Sequence, residues 1–497
     1  MAATMTHAAT GITGLDEIII GGFPRNRIYL IEGDPGTGKT TLGMQFLFEG
    51  RDHGEKGMYV TLSETREELD AVADSHGWNL DRIEILELVA AQDLVSTEDQ
   101  YTVFDPAEVE LGQTIKSIIN MVEETQPARV VVDSLSELRL LAQNSLRYRR
   151  QILALKQFFA GRKCTVLLLD DMSAGSGDQH VQSLAHGVIR LEQFPVEYGV
   201  DRRRVRVQKI RGVPFRAGCH DFRILTGGLT VYPRLLSVDH PRSYTSEVVL
   251  SGLPAVDQLL QGGIRRGTST LFLGPVGSGK STMAAQYAHA AALRGEKIAM
   301  YLFDEGKQTL MERCRGLGID LCASPIEDQI DMQQVDPAEL SPGEFADRVR
   351  CAVEIGDIKM VIIDSLNGYL NAMPGEKQLL LQLHELLSFL RHRGVTTLLT
   401  EGQHGMLGSG MSSPVDISYL ADTVFLLRYF EATGEVRQAM SIIKNRTGGH
   451  ERTIREFRLG SNGITVGEPL REFQGVLTGV PNYLGKVGPL LSKGPVH

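Results

Sequence analysis

Short apolar runs alternate with stretches of helical spacing through most of this chain. Ile28-Tyr29-Leu30-Ile31 is such a run, and Thr41-Leu42-Gly43-Met44-Gln45-Phe46-Leu47 behind it is spaced as a helix. Further runs are Gly57-Met58-Tyr59-Val60-Thr61-Leu62, Arg129-Val130-Val131-Val132 and Thr165-Val166-Leu167-Leu168-Leu169, with helical spacing from Arg147 to Phe159 between the last two. Runs this continuously apolar suit strands buried on both faces, as in parallel sheets, and the helices between them supply the crossovers. The pattern predicts an α/β fold, a mostly parallel sheet covered by helices.

The pattern then repeats. Ile298-Ala299-Met300-Tyr301-Leu302-Phe303 matches the run at Gly57, Met360-Val361-Ile362-Ile363 matches the run at Arg129, and Gln378 to Leu390 with Thr396 to Leu399 repeats the later helix and strand. Polar landmarks recur in the same order. Gly14-Leu15-Asp16 and Gly21-Gly22 have counterparts in Gly252-Leu253, Asp257 and Gly262-Gly263. Val207-Gln208-Lys209-Ile210-Arg211-Gly212 has one in Ile443-Lys444-Asn445-Arg446-Thr447-Gly448. An ordered repeat with a period of about 240 residues describes two tandem copies of one domain. The copies are expected at residues 1–240 and 247–466. The junction lies in the Pro-, Ser-, Arg- and His-rich stretch from Tyr232 to Ser246. A tail at 467–497, without a counterpart in the first copy, is expected to be disordered in part or docked on the body.

Each copy carries one phosphate loop of the pattern G-x-x-x-x-G-K-[ST], between a strand and a helix. The first is Gly33-Asp34-Pro35-Gly36-Thr37-Gly38-Lys39-Thr40 and the second Gly274-Pro275-Val276-Gly277-Ser278-Gly279-Lys280-Ser281; Thr41 and Thr282 follow. Glycines let the backbone wrap so that its N–H groups face phosphate oxygens at the positive end of a helix. Lys39 and Lys280 are spaced to reach the β and γ phosphates of ATP, and Thr40 and Ser281 to ligate Mg²⁺. Asp133 and Asp364, at the carboxyl ends of apolar strands, are placed to hold the metal's shell. Glu64 and Glu305, with Asp304 beside the latter, close the strands at Gly57 and Ile298 and are candidates for orienting the attacking water. Lys209 with Arg211, and Lys444 with Arg446, alternate along expected strands, so each pair projects to one face. Two cations on one face suit an anionic partner, such as the nucleotide of a neighbouring subunit.

Charge narrows the field. The net charge of −10 leaves out the basic footprint a dedicated nucleic-acid binder carries. A DNA-dependent ATPase of RecA or RadA type stays as an alternative, as does a nucleotide-gated scaffold with little turnover. No apolar stretch approaches the length of a membrane span. The beginning of the sequence lacks the pattern of a signal peptide. The cysteines Cys164, Cys219, Cys314, Cys322 and Cys351 are scattered without a C-x-x-C, as expected of free thiols in the cytoplasm.

With the doubled loops, the acids after them and the Lys-x-Arg pairs in this order, the chain up to its tail resembles the KaiC family of circadian-clock ATPases. The resemblance implies two RecA-like domains in a double-ring homohexamer with ATP at the subunit interfaces. Lys209, Arg211, Lys444 and Arg446 would then act in trans, and a KaiB-like or other signalling protein would be the partner. It implies slow ATP hydrolysis in the first domain and serine/threonine autophosphorylation in the second, with Asp304 as the acid that activates the acceptor. The acceptor segment resembles Asp416-Ile417-Ser418-Tyr419-Leu420-Ala421-Asp422, which makes Ser418 the acceptor and puts Tyr419 where the family has threonine. The family has two adjacent acids in both domains. The first copy here has Ser63-Glu64, and the second keeps Asp304-Glu305. In the tail, Phe473-Gln474-Gly475-Val476-Leu477-Thr478-Gly479 is similar to relatives outside the cyanobacteria, so a circadian role does not follow.

Overall fold

The computed structural model describes residues 6–88, 106–172, 179–196, 199–235, 247–371, 379–403, 417–432, 434–478 and 482–483. The chain divides into two compact units between Arg234 and Leu235. Residues 236–246 of the expected junction lie outside the described residues, as do Gln378, Asp416, and 479–481 and 484–497 of the tail.

In the first unit the strands are β1 (Ile28–Gly33), β2 (Gly57–Thr61), β3 (Ile83–Glu87), β4 (Arg129–Asp133), β5 (Thr165–Asp171), β6 (Gly187–Phe194), β7 (Arg202–Ile210), β8 (Cys219–Leu225) and β9 (Gly228–Tyr232). They form one sheet in the order β3-β2-β4-β5-β1-β6-β7-β8-β9. It is parallel as far as β6 and antiparallel from β6 to β9. Helices α1 (Lys39–Asp52), α2 (Arg66–Ser75) and α3 (Ser145–Phe159) are among its crossovers. In the second unit the strands are β10 (Ser269–Gly274), β11 (Ile298–Leu302), β12 (Ile330–Gln334), β13 (Met360–Asp364), β14 (Thr396–Gly402), β15 (Thr423–Ala432), β16 (Glu435–Asn445), β17 (Arg455–Gly460) and β18 (Gly463–Pro469). Their order, β12-β11-β13-β14-β10-β15-β16-β17-β18, repeats that of the first sheet. Helices α4 (Lys280–Leu293), α5 (Lys307–Gly316) and α6 (Leu379–His392) correspond to α1, α2 and α3. This is the tandem RecA-like α/β architecture.

The period-2 geometry of a strand sends neighbouring side chains to opposite faces, so each sheet feeds two cores. Tyr29, Ile31, Val131, Leu167 and Leu169 pack on the α1 face, while Leu30, Val130, Val132, Val166 and Leu168 pack on the other. The second unit divides likewise, with Phe272, Met300 and Ile362 on one face and Leu271, Tyr301 and Ile363 on the other. Every residue of β1 and β4 is buried, which is why these strands read as unbroken apolar runs. The described part of the tail packs Phe473 and Val476 against Phe430, Ala432, Ala439 and Leu470.

Candidate functional site

Both phosphate loops leave the central strand of their sheet and open a helix at Lys39 or Lys280. Gly36 and Gly38 have φ of 79° and 97°, and Gly277 and Gly279 have 78° and 101°, the left-handed region that glycine enters without steric cost. The first glycine answers to close approach instead. A Cβ on Gly33 would stand 2.5 Å from Thr37 Oγ1 and 2.8 Å from Leu191 O, and one on Gly274 2.4 Å from Leu427 O. Thr37 and Ser278 are fully buried beneath their loops. The turns present backbone N–H groups at a helix N-terminus, the geometry that receives phosphate oxygens.

The hydroxyl and carboxylate expected to serve a metal meet in both units. Thr40 Oγ1 donates to Asp133 Oδ2 at 2.9 Å, and Ser281 Oγ to Asp364 Oδ1 at 3.0 Å. Such paired oxygen donors at the edge of a phosphate loop fit Mg²⁺, which takes few protein ligands and completes its shell from phosphates and water. Burial raises both aspartates above the ordinary range, and the hydroxyl bonds oppose it. Each carboxylate also has a second donor, from a different strand in each unit. In the first, Tyr59 of β2 donates to Asp133 Oδ2 at 2.5 Å. In the second, Thr400 of β14 donates to Asp364 Oδ1.

The two lysines differ. Lys39 Nζ donates to Gly33 O at 2.8 Å and is ion-paired with Asp171 Oδ1 at 2.6 Å. Register explains the pair, because Gly33 of β1 is aligned with Asp171 of β5. In the second unit Gly274 is aligned with Gly402, and Lys280 Nζ donates to Pro275 O at 2.7 Å. Burial lowers Lys280 to about 8, against the pull of Asp364, Asp304 and Glu401.

The acids beyond β2 and β11 also differ. Thr61 Oγ1 donates to Glu64 O and accepts from Glu64 N, which fixes the turn carrying Glu64. Glu64 Oε2 is buried without a hydrogen-bond partner among the described residues. Burial, then the charges of Asp133 and Glu68, raise its carboxyl. Ser63 is exposed. Asp304 accepts from Ser365 Oγ. Glu305 is held by both arms of Arg313, at 3.1 and 2.7 Å. Asp304, Glu305, Asp364 and Lys280 line one cleft of about 330 Å³ together with Ser281 and Asn367.

The Lys-x-Arg pairs do not join the loops of their own chain. Lys209 is aligned with Val188 of β6, and Val188 with Leu30 of β1. Lys444 reaches Leu271 of β10 through Val424 in the same way. Leu30 and Leu271 each lie three residues before the loop, about 10 Å at the rise of a strand. The ammonium groups stay at that end. Lys209 Nζ donates to Gln182 O, and Lys444 Nζ to Ser418 O and Ala421 O, both at 2.7 Å. Arg211 and Arg446 are exposed and stand just past the ends of β7 and β16; Arg211 Nη2 donates to Ser183 O at 2.7 Å. Burial, then Arg211 and Lys156, lower Lys209. Ser418 lies in the turn before β15, half-buried, with Tyr419 exposed beside it. The neighbouring Asp422 fixes that turn, taking two bonds from Arg391 and one from Ser269 N at 3.1 Å.

Asp171, Arg313, Tyr59 and Thr400 are the groups around the loops that sequence reasoning missed. A visible signal existed for Asp171, which ends an apolar run as Asp133 does. Among the described residues no helix is long and apolar enough to cross a membrane.

A family model described as "ATPase: KaiC" matches residues 8–235 and again 249–471. "Circadian clock protein KaiC3" of Synechocystis sp. is 26% identical over 485 residues, 95% of this chain and 94% of that relative. "Circadian clock oscillator protein KaiC" of Parathermosynechococcus lividus is 24% identical over 96% of this chain and 88% of its own. "Circadian clock protein KaiC2" of Synechocystis sp. is 26% identical over 96% and 84%.

Proposed function

The chain belongs to the KaiC family of ATPases, and from that premise we propose a homohexameric signalling ATPase whose second unit also phosphorylates Ser418 of a neighbouring copy. The observation that carries this reading is the position of Lys444 and Ser418. They sit together, at 2.7 Å from Nζ to O, at the end of the sheet away from their own phosphate loop. Asp422 N donates to Ser269 O at the start of β10. Five residues of strand, about 16 Å, separate Ser269 from Gly274. A nucleotide on Lys280 is therefore out of reach of the Ser418 of its own chain. The neighbour's second unit, bringing Lys444 and Arg446 to that nucleotide, would bring its Ser418 as well.

The loop N–H groups with Lys39 or Lys280 would hold the β and γ phosphates, aided by Gly36, Thr37, Gly38 and Thr41, or Gly277, Ser278, Gly279 and Thr282. Thr40 and Ser281 would ligate Mg²⁺, with Asp133 and Asp364 behind them, and the bound metal would neutralise charge on the phosphates. Glu64 or Glu305 would orient the attacking water, which bonds to γ-phosphorus as the bond to the β–γ bridging oxygen breaks. Lys209 with Arg211, or Lys444 with Arg446, would stabilise the charge from the neighbouring subunit. In autophosphorylation the Ser418 oxygen replaces water, its proton passes to Asp304, and ADP leaves. A KaiB-like or other signalling protein is proposed as the partner, in keeping with relatives named as circadian clock proteins.

Mass spectrometry after incubation with ATP and Mg²⁺ tests the reading. Phosphate on Ser418 that disappears in Lys280→Ala is expected. Turnover of ATP with no phosphate on any residue refutes the kinase part. Turnover untouched by Lys39→Ala and Lys280→Ala together refutes the assignment of both loops.

A further inference from the structure

Glu305 is occupied by its own chain. Arg313 Nε and Nη2 donate to its two oxygens, while Nη1 donates to Thr282 Oγ1 at 2.7 Å. A bidentate fork engages both carboxylate oxygens in one plane. A carboxylate held so has both its oxygens on the guanidinium instead of on a water. Among the described residues no such fork holds Glu64 in the first unit. The residue eight beyond Glu64 is Val72, which packs on the core, where the residue eight beyond Glu305 is Arg313.

The second unit's cleft has two parts that share Val276, Gly277, Lys280, Ser281 and Glu305. The acidic part holds Asp304 and Asp364. The other, about 660 Å³, adds Gly316, Leu317, Leu459 and Arg313. The added Gly316, Leu317 and Leu459 suit a nucleoside beside the phosphate loop they adjoin. Arg313 thus belongs to the nucleoside end, while the carboxylate it holds borders the phosphate end.

We propose that Arg313 is a positioning residue, a latch that keeps Glu305 from the reacting water until a nucleoside enters its part of the cleft. A planar base beside the guanidinium offers a cation–π contact in exchange for the ion pair. Glu305 then turns to the γ-phosphate, so turnover in the second unit depends on the base as well as the phosphates. The pair is part-exposed, 34% for Arg313 and 25% for Glu305, so it is weak enough for a bound ligand to open. This inference rests on the reading of the second unit as an ATPase.

The test uses the full chain carrying Lys39→Ala, so that turnover reports the second loop. Hydrolysis of ATP and of inorganic tripolyphosphate, which has no nucleoside, is measured at saturation with Mg²⁺. The parent should strongly prefer ATP in kcat. Arg313→Met keeps the packed stem but removes the fork, and should raise tripolyphosphate turnover about five-fold, narrowing the ratio. Arg313→Lys, which retains a cation, should fall between. A purely structural role would lower both rates together and leave the ratio fixed. An unmoved ratio in an active parent overturns the latch alone. A parent that binds ATP but turns over neither substrate overturns the ATPase reading beneath it, and the latch with it.

Discussion

At the scale of single residues, the two loops share a sequence pattern but not an electrostatic setting. Lys39 is neutralised by Asp171 at 2.6 Å, whereas Lys280 meets a carbonyl and is lowered by burial to about 8. An incoming triphosphate must displace Asp171 from Lys39 and tolerate its charge nearby. Asp171→Asn in a Lys280→Ala background should therefore tighten ATP binding to the first loop, about five-fold for roughly 1 kcal/mol. Calorimetric titration reads the change directly, and weaker binding would mean that Asp171 assists the nucleotide. Lys280 behaves in the opposite sense. Its cationic form prevails below about 8 and is lost as pH rises through that value. In a Lys39→Ala background, nucleotide affinity should hold to near pH 8 and then fall, towards ten-fold per pH unit. Affinity unchanged to pH 9.5 would contradict the burial argument. Lys39, Lys280, Thr40 and Ser281 were legible because one local pattern fixes their spacing. Arg313 was not, because two turns of helix place it and no local motif records it; Asp171 ends an apolar run as Asp133 does, but only strand register brings it to Lys39.

At the scale of elements, the same strand order supports two ways of holding one carboxylate. Asp133 takes its second bond from Tyr59 of β2, where the other unit has Met300. Asp364 takes its second bond from Thr400 of β14, where the first unit has Leu169. A hydrogen bond to a buried charge is worth about 1.5–3 kcal/mol, so Tyr59→Phe should destabilise the β2–β4 region by that order. Amide exchange should quicken in β2 and β4 while β11 and β13 keep their protection; Thr400→Val should give the reverse. Uniform loosening of both units in either variant would argue against separate locks. The parallel strands were legible because burial on both faces writes them as unbroken apolar runs. The Lys-x-Arg pairs were legible as alternating charges, but not the end of the sheet they occupy. That follows from β7 and β16 running antiparallel to the strands that lead into the loops, a fact of pairing that a charged strand such as Arg202–Ile210 does not carry in its own sequence.

At the scale of the whole molecule, duplication was legible from the ordered repeat alone, whereas the separation of the Lys-x-Arg pairs from the loops of their own chain required the fold. Lys209 and Arg211 stand at the opposite end of the sheet from Lys39, and their side chains bond carbonyls of Gln182 and Ser183 there. Acting on a nucleotide would require a second copy that presents this end to the first copy's loop, the head-to-tail contact of a closed ring. Subunit mixing tests that arrangement. With Lys280→Ala throughout to silence the second loop, one variant adds Lys39→Ala and the other adds Lys209→Ala with Arg211→Ala. Each alone should turn over little ATP, the first for want of a loop and the second for want of cations. Co-expressed in equal amounts, random rings pair an intact loop with intact cations at about a quarter of their interfaces, and activity should recover to that fraction of the Lys280→Ala parent. Cations acting within one chain predict no recovery, because no subunit in the mixture carries both parts. Full activity in the second variant alone would remove Lys209 and Arg211 from the site and return them to the role their carbonyl contacts already suggest, a clamp on the short helix Gln179–Leu184 before β6.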